Sequence, residues 1–120
     1  MSSKPLPMPK RVPETGFYYH NKHDPNGPVN DYAYEVTGIG FHTEDDARPG
    51  GEHFVQYRPL YESAVYKASL ELGVTCFDNR PLGMWMGDVE KDGKTFPRFQ
   101  KITDPEVIAK LVKVRAEMYP

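Results

Sequence analysis

Between Tyr32 and His42 the apolar side chains alternate as Tyr32, Tyr34 and Val36, then change phase at Gly38 and resume as Ile39 and Phe41. Strict alternation marks a strand with one buried face, and a slip of one residue turns the later side chains to the wrong face unless an extra residue is accommodated as a β-bulge. A glycine at the slip suits such a bulge. Bulged strands bend, and bent strands are how small sheets curl, so this stretch predicts a curled, barrel-like sheet rather than a flat one.

The flanking segments extend the β pattern. Gly16 to Lys22, with Phe17, Tyr18, Tyr19 and His20, reads as a strand, and His23 to Asp31, holding Pro25, Asn26-Gly27 and Pro28, as a long turn. A turn rich in Asp, Gly and Pro runs from Glu44 to Gly51. His53 to Tyr61 alternates again, with Val55, Tyr57 and Tyr61 on one face and Phe54, Arg58 and Leu60 on the other. Pro59 cannot donate to a ladder and so ends this strand or puts it at an edge. Residues 62–73 fit either a strand or one or two helical turns, since Val65, Leu70 and Leu72 match both periods. Val74 to Phe77 is predicted as a short strand, Asn79 to Met86 as a turn or single helical turn, and Val89 to Gln100 as a hairpin around Asp92-Gly93. Asp104 caps a helix with Pro105 at its first position, and Val107, Leu111, Val114 and Met118 fall on one face of it. Glu106 with Lys110 and Lys113 with Glu117 are spaced to pair on its exposed side.

A chain of 120 residues is long enough for one core and too short for two. Eight tyrosines and six phenylalanines are too many for a disordered chain, so the middle packs. The fold class is mainly β with a C-terminal helix. Residues 1–15, broken by Pro5, Pro7, Pro9 and Pro13, read as a Pro-rich tail, mobile or extended in polyproline fashion; residues 16–102 form the β domain and 103–120 the packed helix. The net charge of −2 argues against generic nucleic-acid binding, which favours basic surfaces. The single cysteine, Cys76, cannot form an intramolecular disulfide, and neither a secretory pattern nor a membrane-spanning apolar run is seen, so a reducing, cytoplasmic address is expected.

Three segments place an arginine beside a proline and a large apolar residue: Tyr57-Arg58-Pro59-Leu60-Tyr61, Arg80-Pro81-Leu82-Gly83-Met84-Trp85 and Pro97-Arg98-Phe99. An arginine stem lies on apolar surface while its guanidinium stays free for a carboxylate, a phosphate or a backbone oxygen, so the three converge on a ligand or act as structural staples. The staple reading pairs them with Glu44 or with backbone carbonyls. His20, His23, His42 and His53 lie near strand ends or turns, but no spacing aims two of them at one ion, and neither a metal nor another cofactor is expected. Glu44-Asp45-Asp46 does not match a calcium loop, and Gly50-Gly51 lacks the lysine and helix of a phosphate loop. Cys76, within Val74-Thr75-Cys76-Phe77, reads as a buried, inert thiol. His42 and Glu44 are a candidate acid-base pair by residue type alone, and nothing else in the sequence supports an enzyme.

In order along the chain, Gly16-Phe17-Tyr18-Tyr19-His20-Asn21-Lys22, Tyr34-Glu35-Val36, Gly38-Ile39-Gly40-Phe41-His42-Thr43-Glu44 and the three arginine segments resemble a small bacterial family known as domain of unknown function 1653. The resemblance covers about residues 16 to 102 and implies an SH3-like curled barrel of about five to six strands with a C-terminal helix added. It implies no activity. Carried onto this chain, its motifs mark Tyr18, His20, His42, Thr43, Glu44, Tyr57, Arg58, Tyr61, Arg80, Pro81, Met84, Arg98 and Phe99. The chain departs from the compact family pattern by extra residues between Lys22 and Tyr34, between Glu44 and His53, and between Tyr61 and Arg80, which enlarge loops.

The expected function is a non-catalytic binding module. A face carrying Tyr57, Arg58, Tyr61, Arg80 and Trp85, with Tyr18, His20, His42, Glu44 and Arg98 as further candidates, takes a peptide or protein partner. The alternative is recognition of a nucleotide or single-stranded nucleic acid, with rings stacking on bases and arginines on phosphate. A variant of the first reading seats the tail, Lys4 to Pro13, in the groove of a neighbouring copy.

Overall fold

The computed structural model describes residues 6–44 and 52–120; the expected turn after Glu44 and the first five residues of the tail lie outside them. Strand β1 (Gly16–His20) pairs antiparallel with β2 (Ala33–Phe41), and β2 with β3 (His53–Pro59). The β2–β3 register shifts between Val36 and Gly38, making Thr37 the extra residue, and its hydroxyl donates to the Gln56 carbonyl at 3.1 Å. The bulge therefore sits where the alternation changes phase, and β3 ends at Pro59.

Residues 62–73 resolve as helix α1 (Ala64–Leu72), started by the Ser63 hydroxyl accepting the Tyr66 N–H and stopped by Gly73 in a left-handed conformation, φ +75°. Val74 to Phe77 is a connection, not a strand. The reason is competition for a partner: the outer side of β3 is taken by β4 (Asp78–Pro81), from Phe54↔Pro81 to Tyr57↔Asp78. The Cys76 N–H instead donates to the Ser69 hydroxyl at 2.7 Å, so Cys76 is half-buried in this connection rather than inside a strand. Helix α2 (Leu82–Trp85) follows as a single turn, then the hairpin β5 (Asp88–Lys91) and β6 (Lys94–Pro97). Asp92 and Gly93 both have positive φ, +54° and +74°, as a type I′ turn requires. Strand β7 (Phe99–Lys101) returns to pair with β1, and α3 (Pro105–Met118) begins with the Asp104 carboxylate accepting the Glu106 N–H.

The main sheet runs β4-β3-β2-β1-β7, with β5–β6 as a separate ribbon, and among the described residues no strand pairing closes it. The protein is thus mainly β, antiparallel, with a C-terminal helix. Each face of the sheet has its own core. One gathers Tyr18, Val36, Val55, Tyr57, Trp85 and Phe99; the other joins Phe17, Ala33, Leu60 and Ile102 to Leu111 of α3. Trp85 stacks on Phe99 with ring centroids 3.6 Å apart, and the Arg80 guanidinium lies over the same Phe99 ring at 5.4 Å. The edge strands β4 and β7 therefore meet through side chains, and the first face is concave. None of the described helices is long and apolar enough to cross a membrane.

Leu111 is fully buried and is the fixing point of α3. Leu111→Ala is expected to lower unfolding free energy by about 3 kcal/mol, combining lost transfer energy with a cavity, read as a shift in the urea midpoint.

Candidate functional site

Directly paired residues of an antiparallel sheet share a face, and so do residues two apart on one strand. From the pairs Tyr18↔Tyr34, Val36↔Tyr57, Tyr57↔Asp78, Val55↔Arg80 and His20↔Phe99, one end of the concave face carries His20, Tyr34, Tyr57, Asp78, Arg80 and Phe99. Tyr61 joins them by a hydroxyl–hydroxyl hydrogen bond to Tyr34, and Tyr57 accepts a hydrogen bond from Arg80 Nε at 3.2 Å. Tyr32 completes the rim, 5.8 Å from His20 and 5.7 Å from Tyr61 between ring centroids. Its backbone is left-handed at φ +50°, a costly conformation for a bulky residue, held by the His20 N–H donating to the Tyr32 carbonyl at 3.0 Å.

The electrostatics at this end are set first by burial and then by nearby cations. Burial, then Arg80, Lys22 and Arg98, push the His20 imidazole down to about 4 from its ordinary value near 6.5. Its Nδ1 accepts the Lys22 backbone N–H at 3.1 Å, a bond that only an unprotonated nitrogen can accept. Burial raises the Asp78 carboxyl above its usual range while Arg80 opposes the rise, and burial raises the Tyr34, Tyr57 and Tyr61 hydroxyls. Among the described residues neither Arg80 nor Arg98 forms an ion pair. Arg98 Nε and the neighbouring Asn21 Oδ1 are buried with no hydrogen-bond partner among the described residues.

The other expected site residues are elsewhere. Arg58 points to the opposite face, where its Nε donates to Glu35 Oε1 at 2.9 Å and its guanidinium covers the Tyr119 ring at 4.1 Å. Glu35 Oε2 accepts from Arg115 Nη1 at 2.6 Å, so the arginine's acidic partner is Glu35, not Glu44, and Arg58 is a staple between sheet and α3. Tyr18 and Trp85 are core residues, the Tyr18 hydroxyl donating to the Glu14 carbonyl. His42 and Glu44 lie past the far end of β2, on the order of 25 Å along the strand from Tyr34; there the Glu44 N–H donates to His42 Nδ1 at 3.1 Å. Of the expected set, His20, Tyr57, Tyr61, Arg80 and Arg98 come together.

Lys22, Tyr32, Tyr34 and Asp78 belong to the same end but were not among the expected residues. Tyr34 was legible, being in phase with Val36. Asp78 becomes legible once the strand is placed at 78–81, because Asp78 and Arg80 are then two apart on one face.

Against known proteins, a family profile described as "Protein of unknown function (DUF1653)" matches residues 16–101, the span over which the motifs resemble that family. No curated protein and no solved structure matches the chain.

A lowered folded-state pKa means that the unfolded chain takes up the His20 proton at a pH where the folded chain does not. The His20 contribution to stability is therefore full above about pH 6.5 and is lost as the pH falls from there to about 4. His20→Gln is expected to flatten the pH dependence of the urea midpoint within that window while leaving its slope at higher pH unchanged.

Proposed function

The chain belongs to the domain of unknown function 1653 family, and we propose that it is a non-catalytic recognition module taking the acidic group of a peptide or protein partner at the His20, Arg80 and Arg98 end of the concave face. One observation carries this reading: Arg80, Arg98 and Lys22 add to burial in lowering one imidazole, and neither arginine is ion-paired among the described residues, whereas Arg58 is paired with Glu35. Guanidinium forks near tyrosine hydroxyls and a neutral histidine favour a planar carboxylate, bound by charge-assisted hydrogen bonds. The rings at this end pack edge to face, Tyr34 against Tyr57 at 81° and against Tyr61 at 77°, so their faces serve the protein's own packing. This supports a peptide over a stacked base.

The strand order, a meander whose last strand returns to the first, supports an SH3-like curled barrel left open between β4 and β7. The free thiol of Cys76 suits a reducing, cytoplasmic address.

The test is an amide NMR titration of labelled protein with a short glutamate-rich peptide and, separately, with AMP and a single-stranded oligonucleotide. Shifts confined to His20, Lys22, Arg80 and Arg98 on peptide addition support the proposal. Shifts there only with the phosphate-bearing ligands, weakening steeply with salt, replace it with nucleotide recognition. Arg98→Ala is expected to weaken peptide binding roughly ten- to hundredfold, the loss of one charged hydrogen-bonding group. Arg58→Ala should leave binding within about twofold and instead lower stability by about 2 kcal/mol through the stripped Glu35 contact, read in the same urea assay.

A further inference from the structure

Tyr32 holds the left-handed conformation, φ +50°, just before β2, where glycine or asparagine would enter at least cost. A bulky side chain in that region persists only where some contact offsets the strain. Packing in a core does not supply it, because Tyr32 belongs to neither of the two cores and is not among the half-buried residues packed against them. Hydrogen bonding does not supply it either. The hydroxyls of Tyr18, Tyr19, Tyr34, Tyr57, Tyr61 and Tyr119 each have a partner, whereas that of Tyr32 has none among the described residues.

Both aromatic neighbours of the ring belong to the candidate site: His20, inclined at 33°, and Tyr61, inclined at 48°. Neither contact is the stacked or edge-to-face arrangement in which rings attract best, and which Tyr34 makes with Tyr57 and Tyr61. Tyr32 is half-buried, so part of it is open to solvent at the rim beside the imidazole. The charges that act on that imidazole, Arg80, Lys22 and Arg98, are all cations. An aromatic face by itself attracts an ammonium group, but a ligand ammonium here would meet three positive groups, whereas an uncharged apolar side chain meets no such opposition.

We propose that Tyr32 is the specificity-determining residue at this end of the concave face: Arg80 and Arg98 hold the partner's carboxylate, and a large apolar side chain next to that acidic residue lies on the Tyr32 ring. The inference rests on the carboxylate site proposed above and adds the neighbour that the partner's acidic residue must have. The strain at residue 32 then serves ligand contact rather than folding, so removing this side chain leaves the fold no weaker.

The test titrates the full chain with three short peptides that share one glutamate and differ in its neighbour: phenylalanine, glycine or lysine. The wild type should bind the phenylalanine peptide about tenfold more tightly than the glycine peptide, the scale of one aromatic contact. Tyr32→Asn, which suits the left-handed backbone, should erase that preference, hold the glycine peptide within roughly twofold of wild type and unfold at a urea midpoint no lower than wild type. Tyr32→Phe should keep the preference, since the hydroxyl has no partner to lose. Equal binding of the phenylalanine and glycine peptides, tighter binding of the lysine peptide, or a lower midpoint in Tyr32→Asn would each overturn the role given to Tyr32 while leaving the carboxylate site standing. Failure of all three peptides to bind the wild type, or binding unaffected by Arg98→Ala, would remove the carboxylate site and this inference with it.

Discussion

The stack of Trp85 on Phe99 holds the architecture together. It lies between the single-turn helix that follows the β4 edge and the β7 strand that forms the opposite edge, so it draws the sheet's two ends toward each other without a backbone ladder. Stacked and edge-on aromatic contacts are worth about 0.5–1.5 kcal/mol beyond the area they bury. Here Phe99 also touches Tyr34 and Tyr57, and Trp85 touches Tyr18 and Tyr57, so one aromatic group reports to β1, β2, β3 and β7 together. Without it the concave face is an open sheet whose apolar side faces water.

The two faces divide the arginines. On the convex side Arg58 is answered: Glu35 receives Arg58 and Arg115, Arg58 covers Tyr119, and the Tyr119 hydroxyl donates to the Pro59 carbonyl at 2.6 Å. That mutual satisfaction locks α3 to the sheet. On the concave side the cations crowd one end, where burial and their charge together hold His20 neutral and Arg98 Nε has no partner among the described residues. Residues with the same local sequence context, an arginine beside a proline, thus do opposite work according to which way the pleat turns them.

Much of the fold was legible because its signals are local. The phase change beside Gly38, the Asp92-Gly93 pair and the Asp104-Pro105 start each specify a backbone geometry within a few residues. The misplaced strand at Val74 to Phe77 shows the limit: its composition favours a strand, but strand pairing is decided by β3, whose outer side has room for one neighbour and takes Asp78 to Pro81. The ambiguity over residues 62–73 has a similar cause, since Leu70 and Leu72 stay exposed at 66% and 67% and so trace no buried stripe. For the site, Arg58 was separable from Arg80 only through the β3–β4 register, a long-range fact. The placement of His42 and Glu44 with the site failed because the motif order along a chain carries no information about which end of a strand faces which.

Pairing of β1 with β7 sets Tyr18 opposite Lys101, so the two boundaries of the family region lie side by side on antiparallel strands. The tail and the terminal helix consequently leave the domain at one corner, Glu14 gripping Lys101 at that junction. In topological terms the two ends of the domain meet at a single seam, so it can be carried within a larger chain without its ends having to cross the body.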